Sequence, residues 1–307
     1  MTSRAGSGRH LPLLPAVAFV VVWSSGYISG PAAVHAAAPF SVLGWRFLIA
    51  AVLAAGLALV LHRPTRMDRG TVGRVAAVGF VMNAVQFGLM YVAFDLGLGA
   101  TLASLFHALS PVLTVLLAAA LLGERVTPVQ VGGFVVGVVG VLIVLGADLG
   151  HAGGPVAVVI GMLSMLTLSL GTLGQRWIGA TPDLLWSAAL QFAVSAPPLL
   201  VLGWLTEGLW PVTDERQAVV SVLFLAIVNS IVGLVLLSLL VLRAGSGAAA
   251  SLFFLSPPVT AVLAWVVLDE KLSVTQLVGL VVAVAGVAAA NRSRPAKRAT
   301  DQPVGTQ

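Results

Sequence analysis

Arg46 is the only basic side chain that lies well inside a long apolar stretch of the sequence. On insertion scales, a charged side chain at the centre of a bilayer costs roughly 2.5–3.5 kcal/mol, so its presence there calls for a reason. By helical rise, Arg46 lies about 10 Å from the Pro39 end of its segment. It could bind an anionic group such as a carboxylate in a cavity, it could extend outward to the membrane surface, or it could pair with Asp95. The sequence leaves all three interpretations open.

Four further polar side chains lie deep inside apolar segments. His107 lies at a depth similar to that of Arg46, where an imidazole could shuttle protons or simply form packing hydrogen bonds. Asn83 and Asn229 lie near segment centres, and Gln86 follows Asn83 by about one helical turn. An amide in a bilayer must find a partner, since lipid offers none. These amides could therefore bind a substrate or join neighbouring helices.

Trp23, Pro111 and Pro257 complete the set of candidate residues that could shape a cavity. Trp23 could supply aromatic surface to the cavity or lie at the membrane interface. A proline inside a helix removes a backbone hydrogen bond and bends the helix. Pro111 and Pro257 therefore predict either fixed bends in the cavity wall or moving hinges.

Small residues recur at helical spacing in two segments. They are Gly133 and Gly137 in one segment and Gly279 and Gly286 in another. Glycines on one face let two helices approach closely. The pattern predicts a packing seam, either within the chain or between the two copies of a homodimer.

Several kinds of chemistry are excluded by what the sequence lacks. The chain contains no cysteine, and none of its five histidines belongs to an H-E-x-x-H zinc motif. It also lacks a G-x-S-x-G nucleophile motif and a phosphate-binding loop of the G-x-x-x-x-G-K-S/T type. We therefore expect no catalytic residues, no metal and no cofactor.

The composition indicates which elements must position these residues. Of the 307 residues, 59% are hydrophobic and 9% are charged, whereas soluble domains have roughly 25% charged residues. A spanning helix needs about 20 mainly apolar residues. Ten such segments follow one another, which predicts an all-α protein in the lipid bilayer. They cover residues 11–30, 39–61, 72–94, 99–121, 128–147, 154–175, 182–203, 218–241, 246–268 and 274–291.

Basic residues predict the orientation of these segments. If the N-terminus is cytoplasmic, then 13 of the 16 Lys and Arg residues fall on the cytoplasmic side. This asymmetry is typical of membrane proteins. Residues 1–10 and the basic residues 292–307 are then cytoplasmic tails. The net charge of +5 reflects topology in this interpretation, so we expect no nucleic-acid partner.

The chain also contains an internal repeat at an offset of 146 residues. Ser110-Pro111 falls on Ser256-Pro257, and Asn83 falls on Asn229. Residues 11–147 and 154–291 form the two copies. Because each copy has five helices, the second crosses the membrane upside down, which is typical of secondary transporters.

These residues resemble the drug/metabolite transporter superfamily in its EamA-type branch. The resemblance rests on Trp23-Ser24-Ser25-Gly26, on Trp45-Arg46-Phe47, and on the duplicated Ser-Pro segments with their flanking Ala-Ser-Leu runs. It implies two inverted five-helix repeats around a central cavity and a function in exporting amino acids, other metabolites or drugs. One departure is that Leu190-Gln191-Phe192 stands where a second arginine motif would lie.

We therefore expect a secondary transporter in a bacterial inner membrane that exports a small metabolite, such as an amino acid or related carboxylate, by alternating access. The alternatives are an intramembrane enzyme and a non-transporting membrane scaffold or sensor. The missing catalytic motifs disfavour an enzyme, and the inverted repeat disfavours a scaffold.

Overall fold

The computed structural model describes residues 12–292, apart from residues 65, 125, 147–152, 179–182, 209–210, 246–248 and 250. The regular structure of these residues is helical, and the only extended pairing among them is an isolated bridge between Ala37 and Val212. The prediction of an all-α protein is confirmed for this part of the chain. The helices are α1 (Leu13–Ala36), α2 (Pro39–Val60), α3 (Arg69–Asp95), α4 (Ala100–Leu122), α5 (Pro128–Gly146), α6 (Gly154–Ile178), α7 (Leu184–Thr206), α8 (Glu215–Ala244), α9 (Leu252–Leu268) and α10 (Val274–Arg292).

Helices α1 to α8 are each long and apolar enough to cross a membrane, whereas α9 and α10 are shorter apolar helices. Their outer surfaces carry large hydrophobic side chains such as Val52 and Leu242, which are 65% and 81% exposed. So much exposed apolar surface would be unfavourable in water, but it is favourable in contact with lipid. The chain is therefore a multi-pass membrane protein.

Several helix boundaries differ by three residues or more from those predicted, and α1 and α8 are two examples. Helix α1 continues through Pro31 to Ala36, whereas the sequence predicted an end at residue 30. A proline is tolerated inside a membrane helix because neighbouring groups can satisfy the freed backbone. Helix α8 begins at Glu215, three residues before the predicted start, because the Asp214 carboxylate accepts a hydrogen bond from the backbone of Gln217.

The two halves of the chain interleave. Helix α1 packs against α8 and α9 of the second half, and α6 packs in the same way against α3 and α4 of the first half. Helix α2 packs along α7, and α5 packs along α10. The packing is therefore the same when the halves are exchanged, as a twofold relation between repeats requires.

Two pairs of serine hydroxyls mark this relation. Ser110 Oγ lies 2.9 Å from Ser169 Oγ between α4 and α6. Ser24 Oγ lies 3.2 Å from Ser256 Oγ between α1 and α9. Each pair includes the serine of one Ser-Pro motif, so the duplicated motif joins the first helix of one half to the fourth helix of the other.

The predicted glycine seam lies within the chain. A Cβ atom added at Gly133 would lie 2.6 Å from the backbone oxygen of Gly286, and one at Gly140 would clash with the backbone nitrogen of Ala283. Gly137 and Gly279 belong to the same contact between α5 and α10. These glycines therefore join the two halves and are not available to a second copy. A homodimer stays a prediction, but it would need another surface.

Candidate functional site

A cavity of about 470 Å³ lies between the two halves. Its wall includes exposed residues where α6 ends and α7 begins, namely Gln175 and Leu184, so the cavity opens at that end of the bundle. At the other end its wall is made of Met90, Tyr91 and Phe94, which are buried. The structure therefore has one open end and one closed end. All six predicted substrate-binding residues line this cavity: Trp23, Arg46, Asn83, Gln86, His107 and Asn229.

The closed end is held by contacts between the α1–α2 turn and the α7–α8 loop. The backbone nitrogen of Thr213 donates to the carbonyl of Ala36 across 2.9 Å. The Glu207 carboxylate accepts hydrogen bonds from the backbone nitrogens of Phe40 and Ser41, at 2.8 Å and 3.0 Å. A carboxylate at a helix N-terminus is favourable, because the first backbone N–H groups lack helical partners. Glu207 thus ties the start of α2 to the end of α7.

Arg46 is 6% exposed, and its guanidinium lies in the cavity wall. Its Nε donates to Ser230 Oγ across 3.4 Å, and its Nη1 donates to Tyr91 Oη across 3.1 Å. The guanidinium carbon also lies 4.6 Å from the centroid of the Phe87 ring. Within the described part of the chain, no carboxylate lies within 4.0 Å of this guanidinium. Asp95 is exposed, so the alternative of an Arg46–Asp95 pair is wrong.

His107 belongs to a hydrogen-bond network that crosses four helices. Its Nδ1 lies 2.8 Å from Tyr27 Oη on α1, and its Nε2 lies 3.1 Å from Gln86 Nε2 on α3. Gln86 Nε2 also donates to Ser164 Oγ on α6 across 3.0 Å. Sequence reasoning identified His107 and Gln86 but missed Tyr27 and Ser164. Tyr27 follows Trp23 by one helical turn, which was a usable signal, whereas nothing distinguished Ser164 from the other serines.

Asn83 and Asn229 lie in equivalent irregular segments. The middle of α3, Phe80–Val85, and the middle of α8, Leu225–Val232, are each wound as a π-helix. Such segments are rare and occur frequently at functional sites. Asn229 Nδ2 donates to the carbonyl of Val22 across 2.6 Å, whereas Asn229 Oδ1 has no hydrogen-bond partner in the described chain. The Asn83 amide makes no hydrogen bond to another described residue, so both side chains keep polar capacity.

A glycine of the first motif makes room for Asn229. A Cβ atom added at Gly26 would lie 2.9 Å from Asn229 Nδ2. The Trp23-Ser24-Ser25-Gly26 motif thus combines three tasks. Trp23 supplies part of the cavity wall, Ser24 joins α9, and Gly26 admits the amide.

The cavity surface is mainly apolar. Seven aromatic side chains line it: Trp23, Tyr27, Phe47, Phe87, Tyr91, Phe94 and Phe192. No aspartate or glutamate is among the described lining residues, and no cluster of three potential metal ligands occurs in the described ranges. The arrangement can enclose an apolar group and hold a polar group at Arg46, but it offers no described carboxylate to a cation.

The prolines lie beside the cavity and not in its wall. Pro111 follows His107 by four residues within α4, so the His107 carbonyl lacks its usual helical donor. Pro257 lies in the first turn of the α-helical part of α9, after the 3₁₀ segment Leu252–Leu255. A proline there removes no necessary hydrogen bond. The two prolines are therefore not equivalent, although the repeat aligns them.

Comparisons with known proteins identify the family to which the chain belongs. The profile of the EamA-like transporter family matches residues 11–146 and again residues 155–292. An uncharacterised transporter of Bacillus subtilis is 26% identical over 91% of both chains. A protein of Escherichia coli named "Probable amino-acid metabolite efflux pump" is 26% identical over 89% of this chain and 92% of its own.

A protein of Streptantibioticus cattleyicolor named "Probable terminal-alkyne amino-acid exporter" is 31% identical over 81% of this chain and 82% of its own. A solved crystal structure of a protein with 20% identity has a TM-score of 0.64 and covers 91% of this chain and 96% of its own, which supports the fold. The family profile matches nearly the whole chain in two copies, and the helices pack as two interleaved halves. The chain belongs to the EamA-like transporter family.

Proposed function

We propose that this protein exports an amino acid or a related carboxylate across a bacterial plasma membrane by alternating access. The observation that carries the proposal is the buried guanidinium of Arg46, which lines the cavity without a carboxylate partner among the described residues. A buried charge normally has a counter-ion, because its desolvation is costly. A substrate carboxylate would supply that counter-ion.

The free hydrogen-bond capacity of Arg46 fits a carboxylate. A guanidinium has five N–H donors in a planar fork. Ser230 and Tyr91 engage one donor on Nε and one on Nη1, so three donors remain on Nη1 and Nη2. The two donors on Nη2 and the remaining donor on Nη1 are available to the oxygens of a carboxylate, which arginine commonly binds with two hydrogen bonds.

The rest of the cavity supports a substrate with an apolar body. Phe47 and Phe87 flank the guanidinium, and five other aromatic side chains continue the wall. Most ligand sites combine such apolar surface with a few polar groups that fix orientation. The printed names of the Escherichia coli and Streptantibioticus cattleyicolor relatives, an efflux pump and an exporter for amino-acid compounds, agree with this substrate class.

We further propose that all ten helices span the membrane as two inverted repeats and that both termini are cytoplasmic. The distribution of basic residues supports this orientation. The cavity then opens toward the cytoplasm, at the end where α6 stops and α7 begins. An exporter must expose its site on this side to load substrate.

Efflux from proteoliposomes tests the proposal. Liposomes with the full-length protein, loaded with a labelled amino-acid panel, should release the substrate faster than liposomes with the Arg46→Met variant. Equal release of every panel member by both proteins would contradict the proposed function.

A further inference from the structure

The charge state of His107 can be deduced from its neighbours. Ser164 Oγ donates its single hydrogen to the backbone oxygen of Gln86 across 2.9 Å. The same oxygen must therefore accept the hydrogen bond from Gln86 Nε2 at 3.0 Å. This fixes the amide nitrogen of Gln86, and not its oxygen, toward Ser164 and His107.

The second hydrogen of that amide nitrogen points to His107 Nε2 at 3.1 Å. Ser164 Oγ also lies 3.4 Å from His107 Nε2, but its hydrogen is donated to the Gln86 carbonyl, so the shorter contact with Gln86 sets the role of this nitrogen. His107 Nε2 accepts from the amide and carries no proton. The ring proton is on Nδ1 and donates to Tyr27 Oη across 2.8 Å. In this conformation, His107 is neutral.

Adding a proton to His107 would force the network to rearrange. A hydrogen on Nε2 would oppose the amide hydrogens of Gln86, and the other described acceptor beside it, Ser164 Oγ, lies at a longer 3.4 Å. A half-turn of the Gln86 amide relieves this conflict by presenting Oε1 to the imidazolium. The turn also removes the hydrogen bond from Gln86 Nε2 to Ser164 Oγ. Protonation of His107 is thereby linked to a contact between α3 and α6, which belong to different halves.

A charge on His107 would be added to a cavity that is already positive. Tyr27 is the titratable group that touches the ring from α1, while Arg46 and Tyr91 share the cavity from α2 and α3. Helix α6 presents the uncharged Ser164 to the ring.

The three other helices that pack on α4 bring no charge near the ring. Residues 128–146 of α5, 252–268 of α9 and 274–291 of α10 include no titratable side chain. Because no described aspartate or glutamate lines the cavity, an added proton has no fixed carboxylate to neutralise it. A substrate carboxylate at Arg46 would be the nearest negative charge available in the described cavity.

We propose that His107 is the proton-binding group of this transporter and that a proton and the substrate carboxylate bind the cavity cooperatively. The inference rests on the proposed function, since it assumes a carboxylate at Arg46. Coupling between two bound ligands is reciprocal. A carboxylate that raises the affinity of His107 for a proton must therefore bind more tightly when His107 is protonated.

Equilibrium binding of labelled L-phenylalanine and L-leucine to the purified full-length protein tests this inference. The carboxylate of both probes stays ionised between about pH 5.5 and about pH 8, where imidazole changes charge. Affinity of the wild type should rise as the pH falls, by at most about tenfold per pH unit, because one proton is taken up. Direct measurement of proton uptake from weakly buffered solution during binding should give up to one proton per site.

Variants locate the proton. His107→Gln and His107→Asn should bind with an affinity that does not depend on pH. Tyr27→Phe keeps the imidazole and should keep the pH dependence. The matched control is His35→Gln, because His35 is an exposed histidine at the far end of α1 and should leave the profile unchanged.

The outcomes separate the two proposals. A wild type that binds the probes with a flat pH profile and no proton uptake would overturn the proton site and leave the proposed function standing. The same pH dependence in His107→Gln as in the wild type would overturn it as well, as would proton release on binding. A wild type that binds neither probe at any pH, and exports no amino acid, would overturn the proposed function and this inference with it.

Discussion

Replacing Arg46 with lysine keeps the positive charge but removes the planar guanidinium that we propose binds a carboxylate. In the structure, the guanidinium uses one donor on Ser230 and one on Tyr91 and keeps three for a ligand. A lysine ammonium has only three donors on a single nitrogen, so it cannot keep both protein partners and also grip two carboxylate oxygens. At least one charge-assisted hydrogen bond must be lost.

A hydrogen bond to a charged group contributes roughly 1.5–3 kcal/mol. Since about 1.4 kcal/mol corresponds to a factor of ten, Arg46→Lys should weaken substrate binding by roughly ten- to a hundredfold. The assay is equilibrium binding of the labelled substrate to the purified protein. Arg243→Lys is the matched control, because Arg243 is exposed at the end of α8 and should bind substrate as the wild type does.

Thermal unfolding of the empty protein separates a binding role from a structural one. Arg46→Met should abolish binding without lowering the melting temperature, because it removes a buried charge that has no carboxylate partner among the described residues. If Arg46→Lys bound substrate with unchanged affinity, or if Arg46→Met unfolded at a clearly lower temperature, the guanidinium would serve packing and our reasoning would be refuted.

Three further predictions concern other parts of the fold. Gly133→Ala should destabilise the protein by about 1–3 kcal/mol through overpacking at the α5–α10 seam, whereas Gly132→Ala, which has open space around it, should be tolerated in the same thermal-unfolding assay. Asn83→Leu and Asn229→Leu should each reduce substrate efflux without loss of folded protein from the membrane; unchanged efflux in both would assign the amides to helix packing. Glu207→Gln should weaken the closed end of the bundle, so an impermeant maleimide added from outside should label a single cysteine introduced into the cavity faster than in the Glu207 parent. Equal labelling rates would show that this carboxylate does not hold the closed end.

Much of the fold could be predicted from the sequence, because lipid imposes simple rules. A helix that spans a bilayer needs about 20 apolar residues, and its charged residues are confined to its ends. The helical segments and their order can therefore be predicted from the sequence. The repeat was visible because identical pairs such as Ser110-Pro111 and Ser256-Pro257 recur at a constant offset. The offset does not show how the two copies pack. The structure shows that α1 packs on the second half and α6 on the first.

The candidate site could be predicted where a polar side chain lies inside an apolar segment. Arg46, His107 and the two asparagines stand out because each is costly in a membrane unless it has a partner or a function. The hydrogen-bond partner of each of these side chains could not be predicted from the sequence. The partners of Arg46 include Ser230, which is 184 residues away, and the partners of His107 include Ser164, which is one of many serines. The π-helical turns at Asn83 and Asn229 could not be predicted from the sequence either, since their residues are ordinary membrane-helix residues.

Competition by chemically matched ligands tests the central claim most directly. Exchange of labelled L-phenylalanine in proteoliposomes with the full-length protein can be measured against excess L-phenylalanine, 3-phenylpropanoate, phenylethylamine and phenylalaninamide. We predict that the two compounds with a carboxylate compete, and that the amine and the amide, which share the aromatic body but lack that group, do not. Competition by phenylethylamine with none from 3-phenylpropanoate would contradict the account, because it would mean that the cavity reads a cation and that Arg46 does not bind the substrate.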